Sequence, residues 1–314
     1  MTAQPLVSVI VVSYNQEAFV REAVRSAFAQ TYSPLEIVLS DDCSADRTFA
    51  IMEEEAAAYG GPHKVVLNRN PTNIGVAQHY NRAAGLATGE IIIVQDGDDV
   101  SLPERAVKVA RAFQEPTPVD MVCSDVVMID KAGQPLARRE RPPVSPLTLP
   151  EAVGLGSISA AGCACAYSRT LWRKYGPIEP EVLQEDVVLP FRALLERGIR
   201  VLDEPLVEYR IHDSNLFAGQ QVTPGERTRT ERRRWARSWW AISRDWSRSW
   251  GLSGRKDAAL ERGLHRHLRA RALDAQCYDR SPAYALAASF MGLAQGLSLR
   301  NAGGIIRRHI VRRA

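Results

Sequence analysis

The chain of 314 residues is short of cysteine and has no long apolar run. Its five cysteines (Cys43, Cys123, Cys163, Cys165 and Cys277) are odd in number and lack a CxxC pair, which argues against a disulfide framework. Cys163 and Cys165 read as small buried apolar residues. The first residues carry no positive charge, and the apolar run Val7–Val12 is short and leads into polar Ser13-Tyr14-Asn15. No signal peptide is expected there. No stretch is long and polar-free enough for a membrane span. Cytoplasmic residence with reduced thiols is therefore the expectation. There is no GxxxxGK phosphate loop, which argues against an NTPase, and Gly154-Leu155-Gly156 follows no strand, so it is not a dinucleotide fingerprint. Internal repeats and low-complexity tracts are absent as well.

What is present is ordinary for a globular protein: 45% hydrophobic and 24% charged residues. The net charge of +4 hides an asymmetry. Residues 1–224 hold 20 basic against 29 acidic side chains, a balance of −9, and residues 225–314 hold 20 against 7, a balance of +13. An acidic body with a basic tail suggests two tasks. The expected division is a catalytic domain at 1–222 and a basic, Trp- and Arg-rich helical region at 223–314, with the boundary in 219–225.

Strand and helix patterns alternate through the body. Strands are expected at 7–12, 35–39, 64–67, 90–95, 119–128 and 206–211. Helices are expected at 16–29, 45–59, 76–87 and 186–197, with Ser44 as an N-cap and Pro103 in the first turn of another helix. This alternation predicts an α/β fold with a mainly parallel sheet flanked by helices. Residues 138–160, rich in Arg, Pro, Gly and Ser, read as a surface loop of the lid or binding type.

Two strand ends are acidic: Asp41-Asp42 and Asp96-Gly97-Asp98-Asp99. In open α/β sheets, ligands bind beyond the carboxyl ends of strands. Asp96 and Asp98 stand two apart, so in extended chain they face the same way and could share one hard cation, Mg²⁺ or Mn²⁺, with Asp99 turned away. A plain reading competes: a solvated acidic turn in which Asp99 caps the next helix.

With these pieces in view, the sequence resembles the family 2 glycosyltransferases, which have the GT-A fold and act on nucleotide-diphospho-sugars. The matching segments are residues 5–15, Ser40-Asp41-Asp42-Cys43-Ser44-Ala45-Asp46, Asn73-Ile74-Gly75, Asp96-Gly97-Asp98-Asp99 and Gln184-Glu185-Asp186, in the family's order. The resemblance covers about residues 5–215 and leaves the helical tail outside. It implies that Ser13 and Tyr14 line the nucleotide pocket, and that Asp41 or Asp42 bonds the base, most often uracil. It implies that Asp96 lies near the ribose, Asp98 binds the metal, and Asp186 is the catalytic base. His212, in Tyr209-Arg210-Ile211-His212-Asp213-Ser214-Asn215, would be a further metal ligand. Asn73 would shape a turn beneath the nucleotide, or only a helix entry. Family members often have Gly where Cys43 stands and Trp where Val187 stands.

The chemistry suits these groups. A cation offsets charge developing on the leaving diphosphate. A carboxylate takes the proton of the acceptor hydroxyl. Asp186 opens a helix, whose positive end keeps it ionised. The alternative for Asp186 is an N-cap or a salt bridge to Arg192 or Arg197. The expected function is inverting, metal-dependent transfer from a UDP-sugar to a glycan or lipid-linked acceptor, in cell-surface polysaccharide synthesis. The alternatives are a non-catalytic nucleotide-sugar- or glycan-binding scaffold and a sugar nucleotidyltransferase. The latter should have a Gly- and basic-rich loop where Ser13-Tyr14-Asn15-Gln16-Glu17 stands.

Five of six tryptophans lie between Trp235 and Trp250. At helical spacing Trp235, Trp239, Ile242, Trp246 and Trp250 share a stripe, with Arg233, Arg237, Arg244 and Arg248 opposite. The stripe fits peripheral contact with the inner, anionic membrane face, or packing on the catalytic body or a partner subunit in a homo-oligomer. Residues 284–299 read as an amphipathic or docking helix. No nucleic-acid motif accompanies the arginines, so no nucleic-acid partner is expected.

Overall fold

The computed structural model describes residues 4–138, 144–215, 228–278, 280, 282–294 and 299–309. The first half alternates β1 (Val7–Ser13), α1 (Val20–Phe28), β2 (Leu35–Asp41), α2 (Thr48–Ala58), β3 (Lys64–Arg69), α3 (Val76–Leu86) and β4 (Ile91–Asp96). There follow β5 (Val100–Ser101), α4 (Arg105–Phe113), β6 (Met121–Ile129), β7 (Pro135–Arg138), β8 (Val144–Ser145), α5 (Leu149–Leu155), β9 (Ser159–Ala160), β10 (Cys165–Ser168), α6 (Arg169–Tyr175), α7 (Glu185–Leu195) and β11 (Ile199–Arg210). Four helices end the chain: α8 (Arg229–Ser253), α9 (Ala258–Cys277), α10 (Pro282–Ala294) and α11 (Leu299–His309).

The main sheet runs β3-β2-β1-β4-β10-β6-β11-β5, with β7 beside β6. Strands β1 to β4 pair in parallel, as do β6 and β11, and β10 is antiparallel between β4 and β6. The β-branched runs explain why both faces are buried. Val7, Val9, Val11, Ile37, Ile91 and Ile93 enter one core with α1, α2 and α4. Ile10, Val12, Val38, Ile92 and Val94 enter the other, with α3, α5, α6, α7 and α8.

Several local expectations need correction. Ser44 does not cap α2. Its N–H and hydroxyl both donate to Asp41, while Asp46 accepts from the Thr48 N–H at the helix start. Pro103 precedes α4 and lies outside its first turn. Residues 144–160 are no structureless loop: β8, α5 and β9 form there, and Val144, Leu149, Ala152, Val153 and Ile158 are buried. Among the described residues, no helix is long and apolar enough to cross a membrane. The expected boundary at 219–225 lies outside the described residues.

The tryptophan stripe packs inward. Ile242, Trp246 and Trp250 are buried in the same core as Phe191 of α7. On the opposite face Arg248 is exposed and Arg244 half-buried. Arg244 pairs with Glu179 and Glu181, and Arg248 donates to the carbonyl of Pro177. Of the expected 284–299 helix, α10 covers residues 284–294 and residues 295–298 lie outside the described residues; Ala285 and Ala288 of α10 pack with Ala302 and Ile305 of α11 and Cys277 of α9.

Candidate active site

Strand register brings the site together. Ser13 pairs with Asp41 and Val12 pairs with Asp96, so the carboxyl ends of β1, β2 and β4 are level. The Gly97 N–H donates to the carbonyl of Val12 at 2.9 Å. A Cβ at Gly97 would stand 1.8 Å from Ser13 Oγ and 2.5 Å from Gln16 Oε1, so only glycine fits there. Ser13 Oγ and Gln16 Oε1 are buried without a hydrogen-bond partner among the described residues, which leaves polar atoms available in the floor. Tyr14 beside them is exposed.

Asp41 and Asp42 are both buried and both hold loops. Asp41 accepts from Ser44 and faces Arg69 Nε at 3.5 Å. Asp42 accepts from Asn70 Nδ2 at 2.8 Å and from the N–H groups of Ile74 and Gly75, each at 3.0 Å. Asn73 is exposed and accepts from the Gly75 N–H at 3.1 Å, closing the entry turn of α3. Asp42 thus ties this turn to the end of β2.

The turn after β4 sends its three carboxylates to different partners. Asp96 accepts from the buried Tyr80 hydroxyl of α3 at 2.6 Å. Burial and the Asp98 charge push Asp96 up to about 6, against that hydrogen bond. Asp98 Oδ2 lies 2.8 Å from His212 Nε2 and accepts from Asn215 Nδ2 at 3.2 Å. The Ser214 N–H lies 3.2 Å from His212 Nδ1, and Asn215 Nδ2 lies 3.2 Å from His212 Nε2, so the ring is held from both sides facing Asp98. Asp99 is buried and accepts from the Arg210 N–H at 2.9 Å. It does not cap α4, whose N-cap is Glu104. Burial, then the charges of Asp98 and Asp96, drive its carboxyl well above the usual range.

Three residues here escaped the sequence reading: Tyr80, Asn215 and Arg210. Arg210 is buried, and its guanidinium donates to the carbonyls of Asp98, Asp130 and Lys131 and to Glu22. It lies 5.2 Å from the centre of the Phe19 ring, which also packs on His212 at 4.5 Å between centroids. Spacing alone marks His212 and Asn215 as a strand-end pair. Nothing in the sequence shows what Arg210 or Tyr80 meets.

Asp186 is half-buried in the first turn of α7, where the N-cap is Gln184. The suggested salt bridges do not form: Arg192 pairs with Asp245 and Arg197 with Asp120. Gly162 passes close by, since a Cβ there would meet Glu185 Oε1 at 2.9 Å and the Asp186 Cβ at 3.3 Å. Burial, then the charges of Asp186 and Asp96, push Glu185 well above the ordinary carboxyl range. Arg105 donates to the carbonyls of Val94 on β4 and of Cys163, next to Gly162, and so ties the start of α7 to the β4 end.

Asp98 and His212 suit a hard or borderline cation. Two ligands about 2.1 Å from one ion at a right angle stand roughly 3 Å apart. The observed 2.8 Å between Asp98 Oδ2 and His212 Nε2 matches that spacing. Among the described residues, no group of three or more His, Cys, Asp or Glu is arranged to hold a metal. Asp96 is turned to Tyr80, so the protein offers a pair of ligands.

The family model for Glycosyl transferase family 2 matches residues 8–176. The putative glycosyltransferase EpsE of Bacillus subtilis is 32% identical over 225 residues, 71% of this chain and 79% of that protein. An uncharacterized protein of Mycobacterium tuberculosis is 28% identical over 218 residues, and the match spans 60% of its length. Among solved structures, S. aureus TarS 1-349 in complex with UDP-GlcNAc shares 17% identity and a TM-score of 0.63, over 96% of this chain and 90% of that one. The mannosyltransferase PcManGT from Pyrobaculum calidifontis, in complex with GDP-Man and Mn²⁺, shares 20% identity and a TM-score of 0.54, over 99% and 83%. The sheet and its flanking helices are those of the GT-A fold.

Proposed function

The chain belongs to Glycosyl transferase family 2, and from that premise we propose that it is an inverting, cation-dependent glycosyltransferase. It takes a UDP-sugar as donor and a hydroxyl of a glycan or lipid-linked saccharide as acceptor, in the assembly of cell-surface polysaccharide. The observation that carries this reading is the meeting of Asp98 with His212 at the β4 end, to which Arg105 ties the Gly162-Cys163 segment that packs on Glu185 and Asp186. UDP-GlcNAc in TarS supports a uridine donor, and Mn²⁺ beside GDP-Man in PcManGT supports the cation.

In this reading Asp98 and His212 hold Mn²⁺ or Mg²⁺. The ion offsets the charge that develops on the departing diphosphate. Ser13, Gln16 and the Gly97 backbone form the floor under the nucleoside, beside Tyr14, with the turn at Asn73 and the Asp41-Asp42 corner at its edge. Asp96, held by Tyr80, faces the ribose. Asp186, in the first turn of α7, accepts the proton of the acceptor hydroxyl. Burial and the charge of Asp186 push the neighbouring Glu185 carboxyl well above its ordinary range.

UDP should raise the melting temperature only with Mn²⁺ or Mg²⁺ present. GDP and dTDP run in parallel fix the base. Undiminished stabilisation in EDTA would remove the cation from the scheme. Asp186→Asn should abolish transfer while UDP binding stays nearly intact, because a base acts mainly in the transition state.

A further inference from the structure

Helix α7 holds Asp186 in its first turn and Pro190 one turn later. Proline has no N–H, so the carbonyl of Asp186 loses its i+4 donor and the helix is weakened there. Help comes from the tail. The Trp246 indole of α8 donates to the carbonyl of Val187 at 3.2 Å. Its ring stacks on Phe191, with centroids 4.0 Å apart and planes 7° from parallel. One residue back, Asp245 takes two hydrogen bonds from Arg192, Oδ2 from Nη2 at 2.6 Å and Oδ1 from Nε at 3.1 Å, with both side chains fully buried. Ser238, also buried, accepts from the Leu183 N–H at 2.8 Å, on the segment that leads into α7. Three turns of α8 thus grip the approach, the first turn and the body of α7.

We propose that α8 is a brace that sets the position of the first turn of α7, and that Trp246 is a positioning residue for Asp186. The tail is then a working part of the site, acting through the helix that carries the base. This rests on the reading of Asp186 as that base. The physical reason is leverage. A proline-weakened helix can tilt at its start, and small misplacements of a catalytic group cost orders of magnitude in rate. A donor at Val187 and a stacked ring at Phe191, on either side of Pro190, resist that tilt.

Removing Asp245 would leave the fully buried Arg192 guanidinium without its counter-charge and could unfold the chain. Trp246→Phe is gentler, because it keeps a ring over Phe191 and deletes the N–H. Ser238→Ala removes one acceptor with little change in volume. In both variants, amide exchange at Leu189 and residues 191–195 should quicken by about tenfold, with β1 and β4 unchanged. UDP release, measured with whichever of a panel of UDP-sugars the wild type turns over fastest, should lose about tenfold in kcat, with KM for the donor unaltered. Exchange in α7 that stays at the wild-type rate, or that rises together with the sheet, overturns the brace. Asp186→Asn runs beside them. If it stays active while α7 exchange quickens in Trp246→Phe, the assignment of the base fails and the brace stands. If it is inactive and Trp246→Phe behaves as wild type, the brace fails alone.

Discussion

At Cys43 the backbone takes φ +61°, a left-handed conformation that costs a side-chain-bearing residue about 1–2 kcal/mol. This is where members of the family often have glycine, and the dihedral angle gives the reason. Cys43→Gly should therefore be neutral or stabilising by up to about 1 kcal/mol in urea unfolding, the relief being partly offset by glycine's greater unfolded entropy. Arg210 makes the opposite case. Its planar fork reaches the Asp98, Asp130 and Lys131 carbonyls and Glu22 together, which a lysine ammonium cannot do. Arg210→Lys should weaken the Mn²⁺-dependent part of the UDP melting shift by about tenfold in apparent affinity. An unchanged shift would show that the Asp98 turn needs no such support. Asp98 and His212 were candidates because each follows a strand end, but the i, i+2 spacing did not bring Asp96 alongside Asp98, since Asp96 turns to Tyr80. Arg210 and Tyr80 matter through the segments they meet, up to 188 residues away for Arg210 and Glu22, and no local pattern encodes that.

Elements were legible where periodicity was strong. The parallel strands stood out because β-branched runs buried on both faces have few other readings. Residues 138–160 did not. Their Arg, Pro, Gly and Ser hide the apolar positions Leu149, Ala152 and Val153, which α5 buries at helical spacing. Two elements are fastened by carboxylates whose titration can be followed. Glu36 of β2 is buried, which alone would raise it, but bonds from Ser8, Thr88 and Gly89 outweigh burial and hold it below the usual range. Asp120, just before β6, behaves alike, with bonds from Arg197 and Ser168 outweighing burial. Both folded-state values are depressed, so their stabilisation is complete above the unfolded values near 4 and is lost as pH falls through and below them. Unfolding free energy should drop from about pH 5 downward. Glu36→Gln should be less stable at pH 7 and show a shallower decline, measured by urea titration between pH 3 and 7. A slope matching wild type would exclude Glu36 as a source.

For the whole molecule, the charge division of −9 and +13 suggested a separable tail. Packing points elsewhere, and we treat α8 as part of the catalytic body. Ile242, Trp246 and Trp250 are buried against it, and each such side chain contributes about 1.5–3 kcal/mol. Their sum is comparable with the total stability of about 5–15 kcal/mol typical of a domain. Truncation after residue 225 should therefore yield insoluble or non-cooperatively unfolding protein, seen in a thermal melt, and loss of liposome binding in such a fragment would say nothing about membranes. Contact with lipid has to be tested on an intact chain, at a surface the body does not cover. Helix α10 provides one: Leu286 and Phe290, four residues apart, are 42% and 63% exposed. The surrounding basic region would draw that face to anionic headgroups. Leu286→Glu with Phe290→Glu should lower sedimentation with phosphatidylglycerol vesicles while the melting temperature holds, and raised salt should act in the same direction by screening. Equal partitioning of wild type and variant would mean that α10 faces water or protein, and that the acceptor reaches Asp186 without the enzyme first settling on a membrane.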